Sequence, residues 1–185
     1  MRNTIPALGA LAIALLTWRL QAQEAAPPSP TTVCLSRMQQ CALALALYTR
    51  DNDARLPPAD KWNEAISPLL LKASDPKAPK TSPFDCPSLG EGGAGYSMNW
   101  KLSKRGLSEI ESPATTVSLY ETNVPRPNAN YDGRDLIFRH AMPGVEGKDE
   151  SGGNFAFADG HASWMPATQT PNFRIFLNNK PPKAN

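Results

Sequence analysis

Three cysteines and two histidines are the side chains of this chain with the widest chemical reach. Cys34, Cys41 and Cys86 contain no Cys-x-x-Cys pair, so neither a zinc knuckle nor a thioredoxin-like redox motif is indicated. In an oxidising compartment, three cysteines can form one disulfide and leave one thiol. Cys34 and Cys41 fall on one helical face, and either can serve as partner to Cys86. His161 can be drawn into a Ser-His-Asp set with Ser163 and Asp159. No Gly-x-Ser-x-Gly elbow accompanies it, and Asp159 falls in a turn. Strand and turn roles account for these residues, and the chain is not expected to be an enzyme. A transition-metal set of His140, His161 and Asp159 is disfavoured for the same reason. Asn128, Asn130, Asp132 and Asp135, with Gly133 among them, have the alternating oxygen spacing and glycine of a calcium loop. The position that needs a bidentate Glu holds Arg139, so calcium is the one cofactor considered, through an incomplete site. The competing expectation is an Asn/Asp-Gly turn that satisfies its own side chains.

The elements that must position these residues follow from periodicity. Val33 to Asn52 predicts a helix, with Cys34, Leu35, Met38, Cys41, Ala42, Leu45 and Tyr48 on its apolar face and Thr31 or Thr32 as its cap. Trp62 to Lys72 predicts a second helix, with Trp62, Ile66, Leu69 and Leu70 inward. Thr115 to Glu121 and Leu136 to His140 predict strands, and Leu107 to Glu111 a helical turn. Asp159-Gly160 sits between two alternating runs, which predicts a two-residue hairpin turn. In that register Phe155 faces Trp164, Phe157 faces Ala162 and Ala158 faces His161. The expected fold class is α+β: an N-terminal helix on a small antiparallel sheet with loop-rich connections. The 19 prolines and 12 glycines argue against a helical bundle.

The chain ends carry their own signals. Ile5 to Trp18 is uncharged and mostly apolar, and as a helix would rise about 21 Å. That is short of the roughly 30 Å hydrocarbon core and fits a signal peptide. The expected organisation is a signal peptide over 1–22, a flexible leader over 23–32, a globular domain over 33–177 and a disordered tail over 178–185. Export to the periplasm or the cell exterior follows, with no stable membrane span after cleavage; a retained N-terminal anchor is the alternative. With 19 Lys/Arg against 17 Asp/Glu and no run of one sign, no nucleic-acid partner is expected.

Several segments in order carry a family resemblance. Cys34-Leu35-Ser36, with Met38-Gln39-Gln40 and Ala44-Leu45-Ala46-Leu47-Tyr48, opens it. Asp51-Asn52-Asp53-Ala54-Arg55-Leu56-Pro57 follows, then Phe84-Asp85-Cys86-Pro87-Ser88 and Tyr96-Ser97-Met98-Asn99. Pro113-Ala114-Thr115 precedes the strand ending at Glu121. Arg139-His140 and the run Asn154 to Trp164, with Asp159-Gly160-His161, close it. This order resembles the bacterial pilin-like (pseudopilin) proteins with the prepilin-processing-associated His-X9-Asp-Gly motif. The spacing from His140 to Asp159 exceeds that motif, through a polar stretch centred on Gly144 to Ser151 that reads as a loop between strands. The prepilin processing site and long N-terminal helix are lacking, and Pro27, Pro28 and Pro30 interrupt the path to Cys34. The resemblance therefore implies the head's fold without filament assembly. It implies a Cys34–Cys86 disulfide, closing a loop of about fifty residues and stabilising by a few kcal/mol. Related secretion pseudopilins bind calcium in this C-terminal region.

The implied role is non-enzymatic: structural, secretion-related or surface-binding in the cell envelope, with other envelope or secretion proteins as partners. One alternative is a soluble binding module for a ligand or carbohydrate, for which Trp62, Trp100 or Trp164 would line a groove. The other is a secreted enzyme of unfamiliar type, which would need a deep pocket pairing His161 with a carboxylate.

Overall fold

Pro30 opens the first helix, α1 (Pro30–Asp51), instead of ending the leader. Proline is tolerated at this position because the missing N–H would have no helical partner. Ser29, not Thr31 or Thr32, is the cap: its Oγ accepts from Thr32 N at 3.2 Å. The computed structural model describes residues 28–73, 82–90, 93–143, 149–169 and 171–173. The expected signal peptide, the first half of the leader and the C-terminal tail lie outside these residues. Among the described residues no helix is long and apolar enough to cross a membrane.

A 3₁₀ turn at Ala59–Lys61 leads into α2 (Trp62–Ala73). Six strands follow among the described residues: β1 (Tyr96–Asn99), β2 (Val117–Glu121), β3 (Asn130–Tyr131), β4 (His140–Pro143), β5 (Asp149–Phe157) and β6 (Ala162–Pro166). The fold class is α+β. The sheet is mixed, not purely antiparallel, because β3 runs parallel to β1. The strand expected over Leu136 to His140 is displaced. Leu136 makes only an isolated bridge to Thr122, and β4 begins at His140. The polar stretch read as a loop is partly strand, since Asp149 to Ser151 belong to β5 and pair with β4.

β5 organises the sheet. One of its edges pairs with β6. The other is shared end to end, by β2 against Phe155–Phe157 and by β4 against Asp149–Gly152. The β5–β6 turn is longer than expected. Phe157 N donates to His161 O at 2.9 Å, and Gly160 N to Phe157 O at 3.0 Å, which leaves a three-residue loop of Ala158, Asp159 and Gly160. Only Gly160, at φ +95°, takes the left-handed conformation. The register shifts accordingly: Asn154 faces Trp164, Phe155 faces Ser163 and Ala156 faces Ala162. The expected Phe155–Trp164 pair does not form.

Two cores cover the sheet. The larger joins Met38, Cys41 and Leu45 of α1 and Trp62 and Ile66 of α2 to Tyr96, Met98 and Leu119 of the strands. The smaller gathers Val117, Tyr120, Phe155 and Phe157, with Leu136, Phe138 and Phe173 packed against them. Phe173 meets the Tyr120 ring edge-on at 4.8 Å. β2 is therefore buried on both faces, which explains why every one of its residues is buried, Glu121 included.

Candidate functional site

Four side chains distant in sequence converge inside the larger core. Cys34 comes from the start of α1, and Cys86 from the segment before the 3₁₀ turn Pro87–Leu89. Glu121 ends β2, and His140 begins β4. Their sulfur, oxygen and nitrogen atoms all lie within 4.8 Å of one another. Cys34, Cys86 and Glu121 are 0 % exposed and His140 is 3 % exposed.

The backbone explains the convergence. Because β2 and β4 succeed one another along a single edge of β5, the last residue of one and the first of the other become neighbours. Asn154 of β5 sits between them. Its backbone N donates to Glu121 Oε2 at 3.2 Å, and its Nδ2 to Oε1 at 3.1 Å. Cys86 is brought in by Gly95, just before β1. A Cβ on Gly95 would lie 2.5 Å from Cys86 Cβ, so only glycine allows this approach. α1 is tied down on both sides of the site. Thr31 Oγ1 donates to Ala141 O at 3.0 Å, and Arg37 Nη1 to Asp85 O at 2.7 Å.

Within the cluster, His140 Nε2 lies 2.7 Å from Glu121 Oε1 and 3.5 Å from Cys86 Sγ. Cys34 Sγ donates to Glu121 Oε1 at 3.1 Å and lies 3.0 Å from Tyr96 Oη. Tyr96 Oη also donates to Cys34 O at 3.1 Å. The two thiols are pushed apart in acidity. The hydrogen bond from Cys34 chiefly lowers Cys86, with help from His140, and the same bond raises Cys34, with burial adding to it. For His140, burial opposes the charged ring most strongly, but Cys86 and Glu121 outweigh it and raise the imidazole to about 9. The cluster therefore favours a Cys86 thiolate beside a His140 imidazolium.

All three cysteines are free thiols, so the Cys34–Cys86 bridge implied by the resemblance is not formed. The two sulfurs instead share one space with Glu121 and His140. Cys41 stands apart, its thiol directed at Pro83 O at 3.6 Å and raised by burial. As a nucleophile Cys86 would need a path to substrate, and its complete burial provides none.

The other residues singled out by sequence are used differently. Asp159 Oδ1 lies 2.6 Å from His161 Nδ1 on the exposed β5–β6 turn, and the His161 ring stacks on Phe157 at 4.3 Å. No hydrogen bond links Ser163 to His161 among the described residues. The calcium-loop side chains have partners within the protein. Asp135 is buried and accepts from Tyr120 Oη at 2.5 Å and Thr122 Oγ1 at 2.6 Å. Asp132 pairs with Arg134, Asn130 Nδ2 donates to Asn128 O, and Asn128 Oδ1 accepts from Asn63 N. Trp62 is fully buried, with Nε1 donating to Ala129 O at 3.0 Å; Trp164 is half-buried, and Trp100 is exposed.

Glu121 is the residue that sequence reasoning missed. Its signal was a carboxylate closing a run of apolar and β-branched residues. Compared with protein-family models, curated proteins and solved structures, the chain matches none.

Proposed function

We propose that this chain is an exported, non-enzymatic, pseudopilin-like protein with a structural, secretion-related or surface-binding role in the cell envelope. The observation that carries the reading is the burial of the cluster. Cys34, Cys86, Glu121 and His140 are drawn from four of the segments on which the family resemblance rests, and they meet at one point inside the core. Residues used this way hold a head domain together and leave its outer surface for partners. A catalytic set would need contact with a substrate, which this burial denies. The short apolar segment Ile5 to Trp18 supports export.

The test is mass spectrometry of the mature N-terminus after cell fractionation, combined with cross-linking of the full chain in living cells. The expected result is a chain cut near Ala22, or anchored through its first residues, that cross-links to envelope proteins. A chain beginning at Met1 in the cytoplasmic fraction would overturn the proposal.

A further inference from the structure

We infer that Cys34, Cys86, Glu121 and His140 form a closed binding site for one divalent transition-metal ion, with zinc the best match. The four donors are two sulfurs, one imidazole nitrogen and one carboxylate oxygen, a set used in tetrahedral zinc sites. Zinc bond lengths place neighbouring donors of such a site about 3.3–3.8 Å apart. The contacts here are 2.7, 3.1 and 3.5 Å, with every donor pair inside 4.8 Å. These separations bracket tetrahedral spacing, and shifts of about 1 Å or less would bring the four donors to it.

Burial argues for the same occupant. Four polar groups withdrawn from water are costly unless charge is matched there. No Lys or Arg ion-pairs with Glu121 among the described residues; its only ion-pair partner there is His140. A dication would take over the positive charge that the His140 imidazolium otherwise supplies. Binding displaces two protons, one from the Cys34 thiol and one from His140 Nε2, and leaves two thiolates, one carboxylate and a neutral imidazole around the ion, with no change in oxidation state. Outer contacts hold two of the four ligands. Asn154 fixes both carboxylate oxygens, and Tyr96 Oη, by donating to Cys34 O, holds the Cys34 backbone beside the site. Hard cations such as calcium are disfavoured by the two sulfurs. With four protein donors and no exposed face, the ion would be structural, whether or not the chain joins an envelope assembly.

The experiment is a cobalt titration of the reduced full chain, followed by X-ray absorption spectroscopy of the zinc form. One Co²⁺ per chain should bind, with the visible bands of a tetrahedral ion and a thiolate charge-transfer band, and Zn²⁺ should displace it. The zinc spectrum should show two sulfur and two nitrogen or oxygen neighbours. Cys86→Ser and His140→Gln should abolish the charge-transfer band or weaken binding by at least 100-fold. Asn154→Ala, which keeps all four ligands, should weaken it about 10–100-fold. Cys41→Ser should bind as the parent does. Because the parent protein alone gives stoichiometry and ligand count, the test stands even if a variant fails to fold. Absence of cobalt–thiolate absorption in the reduced protein would sink the site. So would a zinc shell without sulfur, or binding by His140→Gln at full affinity.

Discussion

Glu121→Ala in the metal-free protein tests whether the cluster is held by its carboxylate. Four donors converge on this side chain: His140 Nε2, Cys34 Sγ, Asn154 N and Asn154 Nδ2. Truncation leaves all of them buried without that acceptor. A buried orphaned donor costs about 1–3 kcal/mol. The thiol is a weak donor, and His140 can shed its charge, so the two Asn154 groups and the ring dominate. Three such groups toward the lower end of that range give about 3–5 kcal/mol, matching the usual cost of breaking a buried ion pair by removing one partner. For a domain of this size that is a fall of roughly 6–20 °C in melting temperature. Glu121→Gln keeps one acceptor oxygen but turns an amide N–H₂ toward groups that also donate, so it should lose about half as much. Exposed Glu111→Ala should stay within about 0.5 kcal/mol of the parent. Urea unfolding in chelator, with m-values held equal, measures all three. A Glu121→Ala loss below about 1 kcal/mol would refute the reasoning.

Three further outcomes are expected. Tyr120→Phe removes the hydroxyl that donates to Asp135, and should cost about 1–2 kcal/mol at neutral pH by thermal melting. It also carries a pH signature. Burial first, then the Asp135 carboxylate, holds the Tyr120 phenol above its ordinary value. Its stabilisation is complete below about pH 10 and is lost as pH rises toward the folded value, so above pH 10 the parent should lose up to about 1.4 kcal/mol per pH unit more than the variant. Equal slopes would contradict the assignment. Gly95→Ala should cost about 1–3 kcal/mol and weaken cobalt binding, because the new Cβ forces the Cys86 segment away; unchanged binding would show that Cys86 is not placed by this contact. Millimolar calcium should leave the melting midpoint unchanged, since Asp132 and Asp135 are committed to Arg134, Tyr120 and Thr122; a rise of several degrees would show that the loop reorganises around the ion.

What the sequence made legible was local. The apolar spacing of Cys34, Met38, Cys41 and Leu45, and of Trp62 and Ile66, located both helices, because a helix buries one stripe whatever lies opposite. Asp159-Gly160 located a turn but missed its length. Asp159 Oδ1 also accepts from His161 N at 3.1 Å, which favours Asp just before the left-handed glycine of a three-residue loop as much as within a two-residue one. The Asn128 to Asp135 spacing looked like ligation because the same oxygen side chains also bind backbone. Asn128 and Asn63 exchange a reciprocal pair of such bonds across the fold, Asn63 N to Asn128 Oδ1 and Asn128 N to Asn63 Oδ1, and that partner was invisible from the loop alone. Cys34, Cys86 and His140 were each singled out, but their meeting point was not, since it depends on strand order.

Glu121 shows why strand order was the missing fact. β2 stops at the Tyr120–Phe155 pair, and β4 starts at the His140–Gly152 pair, so the seam between them leaves the backbone N–H of Asn154 with no strand to receive it. The carboxylate of Glu121 accepts that N–H and so completes the sheet edge. Once held there, its other oxygen faces His140 and Cys34. The same residue thus closes the seam and supplies the anion of the cluster, and the two roles can be separated. A variant that restores only an acceptor for Asn154, such as Glu121→Gln, should recover part of the stability lost in Glu121→Ala while binding cobalt far more weakly than the parent. Recovery of both together would mean that the carboxylate's charge plays no part in the site.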